Sequence, residues 1–482
     1  MDVKLRIGAK LREAGDGRYF ERRSPVSDSV VTRAAAATVE DAVAAADCAG
    51  KAFVQWSQTG PNLRRALVTK AADLLAQRSE LFIDRIIDET GTSADWARIN
   101  VQGSINALRE AAALATQLSG ETIPSDKPGT LAITMRAPVG VIVGIAPWNA
   151  PLLLGIRAIA MPLICGNTVV LKASELCPGT HHLIGELFVD AGFPPGAVNV
   201  ITHDVQAAAG IVEALIAHPA VRRVNFTGST RVGRIIGELA GRHLKRALLE
   251  LGGKAPLVVL RDADLDQAVK AAAFGAFMNQ GQICMSTERI VVDEQVADEF
   301  GRRLAAKSAV LKAGDPRSAS PALGSLIGTA AADQIQALVD DAVGKGARLL
   351  TPVMRDKNIF GPVVLDGVTP DMRLYAEESF GPIASIVRVA SDEEAVRVAN
   401  DTEYGLAAAV YGRDLARTLS VARRLEVGVC HINGATVSAE SQLPFGGVKA
   451  SGYGRFGGRA AIEEFTDLRL MTIQTQSQAL PW

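Results

Sequence analysis

Val139-Gly140-Val141-Ile142-Val143-Gly144-Ile145-Ala146-Pro147-Trp148-Asn149-Ala150-Pro151 decides how the rest of the chain is read. Its first seven residues form a short apolar run rich in β-branched side chains, which reads as a strand buried on both faces. Two prolines then bracket Trp148-Asn149 and fix the backbone where the strand ends. In an open α/β sheet the carboxyl end of a strand is where ligands bind. An asparagine held there can give a side-chain N–H to a developing oxyanion, or it can simply close an Asx turn.

Outward from this stretch the same rhythm repeats. Residues 168–172, 221–226, 255–260 and 289–292 are further buried-strand runs separated by helical stretches, which predicts βαβ units and a parallel sheet covered on both faces. Upstream, Thr38-Val39-Glu40-Asp41 resembles a capping box that opens an Ala-rich helix, and helical spacing continues over 62–77 and 79–89. Two segments fall outside the rhythm: 120–136, closing on Leu131-Ala132-Ile133-Thr134-Met135, and 467–474. Both alternate like edge strands, and they are expected to pair as an oligomerisation flap, because exposed edges accept strands from another chain.

The chain has 482 residues, 48% of them hydrophobic, enough for two or three domains. Lys and Arg number 51 against 52 Asp and Glu, a net charge of −1 without long runs of one sign. Neither nucleic acid nor an anionic membrane surface is therefore expected as a partner. The N-terminus is charged at once, and the longest apolar stretch, 137–146, is far short of the roughly 20 residues a membrane span needs. No secretory signal is expected, and the location expected is cytoplasmic. Five cysteines spread over the chain form no C-x-x-C pair, and six histidines show no zinc spacing. Neither a disulfide framework nor a metal centre is expected.

Three further segments carry chemistry. Phe226-Thr227-Gly228-Ser229-Thr230-Arg231-Val232-Gly233 follows a strand and opens a helix, where free backbone N–H groups meet a phosphate or take an ordinary N-cap. Glu250, in Leu249-Glu250-Leu251-Gly252-Gly253-Lys254, has an apolar context that would raise its pKa toward that of a general base. Cys284, in Asn279-Gln280-Gly281-Gln282-Ile283-Cys284-Met285-Ser286-Thr287, lies in a polar, glycine-containing loop. Among the five cysteines it is the best placed to act as a thiolate nucleophile. A conventional G-x-G-x-x-G at 452–457 lacks a preceding strand and a following βαβ unit, so it reads as a glycine-rich turn toward the tail.

The ordered set Pro147-Trp148-Asn149, Lys172-Ala173-Ser174-Glu175, Phe226-Thr227-Gly228-Ser229, Glu250-Leu251-Gly252-Gly253-Lys254, Gly281-Gln282-Ile283-Cys284, Glu378-Ser379-Phe380-Gly381-Pro382 and Pro444-Phe445-Gly446-Gly447 resembles the aldehyde dehydrogenase superfamily over essentially the whole chain. The loop around Cys284 looks most like the bacterial aromatic-aldehyde branch, which includes salicylaldehyde and vanillin dehydrogenases. The resemblance implies an α/β fold with three parts. A Rossmann-like, parallel-sheet dinucleotide-binding domain would span 1–117 and 138–251, an α/β catalytic domain 252–465, and a small β-strand flap 118–137 and 466–482. It also implies a homodimer or homotetramer.

By the same resemblance Cys284 is the nucleophile, Asn149 holds the oxyanion and Glu250 activates the water that hydrolyses the thioester. Lys172 and Glu175 would hold the adenosine ribose, Gly228, Ser229 and Val232 the pyrophosphate, and Glu378 and Phe380 the nicotinamide ribose and ring. Ile145, Ala146, Pro147, Trp148, Ser174, Phe226, Leu251 and Gly252 would line the same cofactor. Glu175 favours NAD, since a carboxylate there accepts from a ribose 2′-OH and repels a 2′-phosphate, whereas Lys172, Ser174 and Arg231 tolerate extra negative charge. Trp96, Ala150, Arg157, Ile283, Met285 and Phe445 are the substrate-pocket residues implied. Arg157 interrupts an apolar run, and it would contact a ring hydroxyl or form a buried salt bridge.

The activity expected is NAD-dependent oxidation of a salicylaldehyde-like aromatic aldehyde to its carboxylic acid, with vanillin, benzaldehyde or a broader range as the alternative. A CoA-acylating enzyme would commonly lack the glutamate, a non-catalytic relative would have lost Cys284 or Glu250, and a cysteine hydrolase would need His431 as partner.

Overall fold

Apolar runs without polar alternation form strands only where both faces are covered, and this chain uses them so. In the computed structural model, which describes residues 1–318 and 321–477, Val141–Ile145, Thr168–Lys172 and Ala255–Val259 are buried at every position. The first of these begins two residues later than expected, because the flap strand Thr130–Pro138 continues up to the turn before it. The strand expected at 289–292 extends to Thr287–Asp293. At the N-terminal side the capping box forms as read: Asp41 N–H donates to Thr38 Oγ1 at 3.2 Å, and Thr38 N–H donates to Asp41 Oδ2 at 3.0 Å.

Five parallel strands form the middle of an eight-stranded sheet, in the order Arg246–Glu250, Val221–Thr227, Val141–Ile145, Thr168–Lys172, Val198–Ile201. Successive strands step away from Val141–Ile145 on one side, and the chain then returns to its other side. The crevice left by that reversal opens between Ile145 and Thr227, the position at which doubly wound sheets bind ligands. Leu5–Ile7 and Lys10–Arg12 close one edge antiparallel. Gly452–Tyr453 closes the other edge, pairing with Leu249 and Glu250. The expected glycine-rich turn is therefore corrected to an edge strand of this sheet. Gly452 is required there, because its φ is +99° and a Cβ would stand 2.1 Å from the Leu249 carbonyl oxygen.

A second sheet of seven strands runs in the order Arg348–Leu349, Val363–Asp366, Ile383–Val389, Thr287–Asp293, Ala255–Val259, Ala407–Tyr411, Val429–Ile432, all parallel except the first. A third sheet joins the segments set apart by their alternation. Thr466–Gln474 pairs antiparallel with Thr130–Pro138 along its whole length, from Thr466 opposite Pro138 to Gln474 opposite Thr130, and Thr122–Ile123 adds a short third strand. The last five residues of the expected flap, 478–482, lie outside the described residues. Among the described residues no helix is long and apolar enough to cross a membrane, and no group of three or more His, Cys, Asp and Glu could hold a metal ion.

Candidate active site

The two large sheets meet edge to edge through loops of opposite kind. Asn149, Gly228 and Glu250 lie at the carboxyl ends of three neighbouring strands of the first sheet. Gly253, Cys284 and Phe380 precede the amino ends of three neighbouring strands of the second. The loops approach closely: a Cβ on Gly253 would stand 2.3 Å from the Cys284 carbonyl oxygen. Asn149 Nδ2 donates to the Gln282 carbonyl at 3.0 Å, which draws the oxyanion candidate onto the nucleophile's loop. The Asn149 carbonyl in turn accepts from Trp96 Nε1 at 2.8 Å and from Asn279 Nδ2 at 3.0 Å. Trp96 thus spends its polar edge on holding Asn149.

The loop before Cys284 is strained. Asn279, Gln280 and Gly281 all have positive φ, of 50°, 57° and 71°. For the two non-glycine residues this costs about 1–3 kcal/mol each and persists where surroundings over-determine it. Those surroundings are visible: Thr92 Oγ1 donates to Asn279 Oδ1 at 2.7 Å, Gln280 Nε2 donates to the Ser325 carbonyl at 2.8 Å, and Gln280 Oε1 accepts from Gly324 N at 2.9 Å.

Glu250 is 1% exposed, and its Oε2 accepts from Arg157 Nη2 at 3.2 Å; among the described residues Oε1 has no partner. Arg157 also donates to Thr227 Oγ1 at 3.0 Å and lies over the rings of Phe456 and Phe445, 4.2 and 5.4 Å from their centroids. Of the two readings left open for Arg157, the buried salt bridge is the one present, and its partner is the candidate base. Burial first, then the Glu250 carboxylate, push the Cys284 thiol well above its ordinary 9.0, while Arg157 pulls the other way. At neutral pH Cys284 therefore rests as a thiol beside Glu250.

Arg157 and Phe445 line a cavity of about 110 Å³ together with Leu153, Met161, Phe456, Gly103 and Ala107, and Glu110, Glu440 and Ser441 also line it. Trp96, Ala150 and Ile283 belong to the apolar core cluster that also contains Phe456, and Met285 packs against that cluster. None of these four candidates is among the residues that line the cavity. Phe456, Leu153 and Asn279 were missed as site residues. Phe456 lies inside the rejected glycine segment, and nothing in its spacing links it to Arg157.

A family match decides the relationship. The chain matches the profile described as the aldehyde dehydrogenase family over residues 12–471. The chain belongs to the aldehyde dehydrogenase family. It is 58% identical over 481 residues to a vanillin dehydrogenase of Pseudomonas fluorescens, with all of both chains covered. Its fold matches the crystal structure of a salicylaldehyde dehydrogenase from Pseudomonas putida G7 complexed with salicylaldehyde. The TM-score is 0.98 at 49% identity, with 100% of each chain covered. It also matches a betaine aldehyde dehydrogenase from Staphylococcus aureus in complex with NAD+, with a TM-score of 0.94 and 31% identity, covering 99% of this chain and 96% of that one.

Aldehyde dehydrogenases typically use NAD(P), and the residues here fit a dinucleotide. An open cleft of about 620 Å³ beside the strand ends is lined by Ile145, Phe226, Val232, Val212 and Ile235, with Lys172, Arg231 and Arg242 supplying positive charge and Glu213 and Glu238 negative charge. A helix N-terminus can take a phosphate. That of Pro178–Ala191 is already filled, because the buried Glu89 carboxylate accepts from Gly179 N at 2.7 Å, Thr180 N at 2.9 Å and Thr180 Oγ1 at 2.7 Å. The helix Thr230–Arg242 is capped by Ser229, whose Oγ accepts from Val232 N at 3.4 Å, and it faces the cleft with Val232.

The remaining cofactor candidates have these surroundings. Lys172 Nζ lies 2.6 Å from His203 Nε2, and burial lowers its pKa to about 8. Burial and then the Lys172 charge lower His203 to about 4, so the ring is neutral. Ser174 Oγ accepts from Leu176 N at 3.2 Å, and the half-buried Glu175 supports the charge of Lys172. Trp148 meets Phe380 edge to face at 5.8 Å, and Ala146 and Pro147 precede it in the same turn. Gly228 N donates to the Glu250 carbonyl at 3.0 Å, Leu251 N to the Ser451 carbonyl at 3.1 Å, and Gly252 N to Thr230 Oγ1 at 3.3 Å. Glu378 accepts from Gly253 N at 2.8 Å, and burial, then the Glu288 charge, raise its pKa to about 8.

Proposed function

We propose that this enzyme oxidises an aromatic aldehyde of the salicylaldehyde type to its carboxylic acid with NAD. The observation that carries the proposal is Arg157, which lines a ring-walled cavity while it holds Glu250, the carboxyl group beside Cys284. Cys284 gives up its proton to solvent, and the thiolate then attacks the aldehyde carbon; the thiol is protonated at rest, so this ionisation precedes each attack. The oxygen becomes an oxyanion held by the Asn149 amide and the Cys284 backbone N–H. Asn149 needs no rearrangement of its backbone, which Trp96 and Asn279 already hold. When bound, nicotinamide accepts the hydride, leaving a thioester on Cys284. Glu250, with one oxygen on Arg157 and the other free, then orients and deprotonates the water that hydrolyses it.

Apolar walls from Leu153, Met161, Phe445 and Phe456 suit a flat ring, and Arg157 offers a donor to an ortho hydroxyl. The 58% identity to a vanillin dehydrogenase favours a second reading, a ring substituted farther from the aldehyde and reaching toward Glu110 and Glu440. In this reading of the molecule, 1–117 with 138–251 binds the dinucleotide, 252–465 carries Cys284, and 118–137 with 466–482 joins copies into a dimer or tetramer. Glu175 makes NAD the preferred cofactor. A panel of salicylaldehyde, vanillin, benzaldehyde and an aliphatic aldehyde, each assayed for kcat/KM with NAD and with NADP, tests the proposal. Salicylaldehyde with NAD should lead, and a preference for the aliphatic aldehyde or for NADP would refute it.

A further inference from the structure

Two buried charges, Glu288 four residues beyond Cys284 and Lys254 just after Gly252-Gly253, take no part in the chemistry above. Glu288 is 3% exposed and Lys254 2%, and Lys254 Nζ lies 2.9 Å from Glu288 Oε2. A buried ion pair returns its desolvation cost only when the remaining hydrogen-bonding positions are filled. Here they are filled by one loop. Glu288 Oε1 accepts from Ser379 N and Phe380 N, both at 3.0 Å, Oε2 accepts from Ser379 N at 3.1 Å, and Lys254 Nζ donates to the Glu377 carbonyl at 2.7 Å. The residue between, Glu378, is held by its side chain on Gly253 N.

The loop needs such a hold, because Phe380 has φ +48°, a left-handed conformation that a bulky residue adopts only when its surroundings impose it. Phe380 is also the ring that meets Trp148. An apolar pair of equal volume would fill the space of Lys254 and Glu288 without desolvating charge, but it would leave these main-chain groups without partners.

We infer that the Lys254–Glu288 pair is a positioning device for the nicotinamide half of the cofactor, fixing the Glu377–Phe380 loop from the strand that leads out of the Cys284 loop. The inference rests on the reading that Glu378 and Phe380 receive that half. Calorimetric titration of the full-length protein with NAD and with AMP, which carries only the adenosine half, separates the two. Glu288→Ala should weaken NAD by about ten-fold, some 1.4 kcal/mol, and leave AMP within two-fold. Glu288→Gln keeps the volume and one acceptor oxygen but unpairs Lys254, and it should weaken NAD selectively by a smaller factor; it also guards against an unfolded alanine variant. A merely structural role would weaken both ligands together, and that result overturns the inference. Glu378→Ala is the control. If it loses NAD selectively and neither Glu288 variant does, the positioning role falls and the reading of Glu378 stands. If no variant changes the NAD-to-AMP ratio, both fall.

Discussion

Cys284 faces two carboxylates and one guanidinium, and their balance sets when it reacts. Burial and Glu250 raise the thiol pKa, so thiolate is scarce at neutral pH and grows through the alkaline range. Alkylation of Cys284 by iodoacetamide, read by mass spectrometry, should therefore accelerate with rising pH. Arg157→Leu removes the group that lowers the pKa, leaves less thiolate at a given pH and should slow the reaction. Glu250→Gln removes a group that raises it and should speed the reaction. Identical rates in all three proteins would contradict this electrostatic account. In turnover the same Glu250→Gln variant should give a burst of reduced cofactor followed by a rate lowered by about 100-fold or more, as expected for a lost general base; an unchanged steady state would exclude Glu250 as the hydrolytic base. Cys165, pushed by burial to about 12, should stay unlabelled. The choice of Cys284 was legible from its polar loop. The partner of Arg157 was not, because Glu250 is 93 residues away in sequence and only the packing of the helix Pro151–Ile164 on the first sheet brings them together.

At the scale of elements, the helix Pro178–Ala191 has its N-terminus plugged from another part of the chain. Glu89, near the end of the helix Ser79–Thr90, supplies acceptors to Gly179, Thr180 and Thr32 while fully buried. Glu89→Ala strands four buried donors, each worth roughly 1–3 kcal/mol when unsatisfied. The expected outcome is a lower urea midpoint and a loss of about 3 kcal/mol or more, measured by circular dichroism. A change below about 1 kcal/mol would show that water replaces the carboxylate. The plug also bears on function, since it fills the end of Pro178–Ala191, while the first turns of Ala208–Ala217 and Thr230–Arg242 line the cleft and stay available to a pyrophosphate. The helices near 62–77 and 79–89, the Thr38 capping box and the five buried strands could be read from local periodicity. The plug could not, because an acidic residue at a helix end looks like any solvated charge until its surroundings are known.

For the whole molecule the ribbon of Thr130–Pro138 and Thr466–Gln474 raises the largest question of stability. After Thr466 its C-terminal strand is exposed on both faces, including Leu468, Leu470, Met471 and Ile473, and a ribbon of two or three strands is marginal without cover. Cover by a second copy is the arrangement we expect. A chain ending at Thr466 should elute as a monomer in size-exclusion chromatography with light scattering, whereas the full chain should not. An assembled truncated protein would remove the flap from the interface.

By itself the sequence determined the α/β class, the alternation of buried strands and helices and the pairing of the two atypical segments, and it singled out Asn149, Glu250 and Cys284 as candidates. Each is written in a local pattern: apolar runs bounded by glycine and proline, a capping box, a polar loop around a thiol. Only the tertiary structure decided that Arg157 answers Glu250, that Glu89 plugs a distant helix, that Glu288 and Lys254 hold the loop of Glu378, and that Gly452 extends a sheet. These are contacts between buried polar groups far apart in the chain. No periodicity encodes them, because a buried charge is satisfied by whichever partner the packing of the sheets delivers.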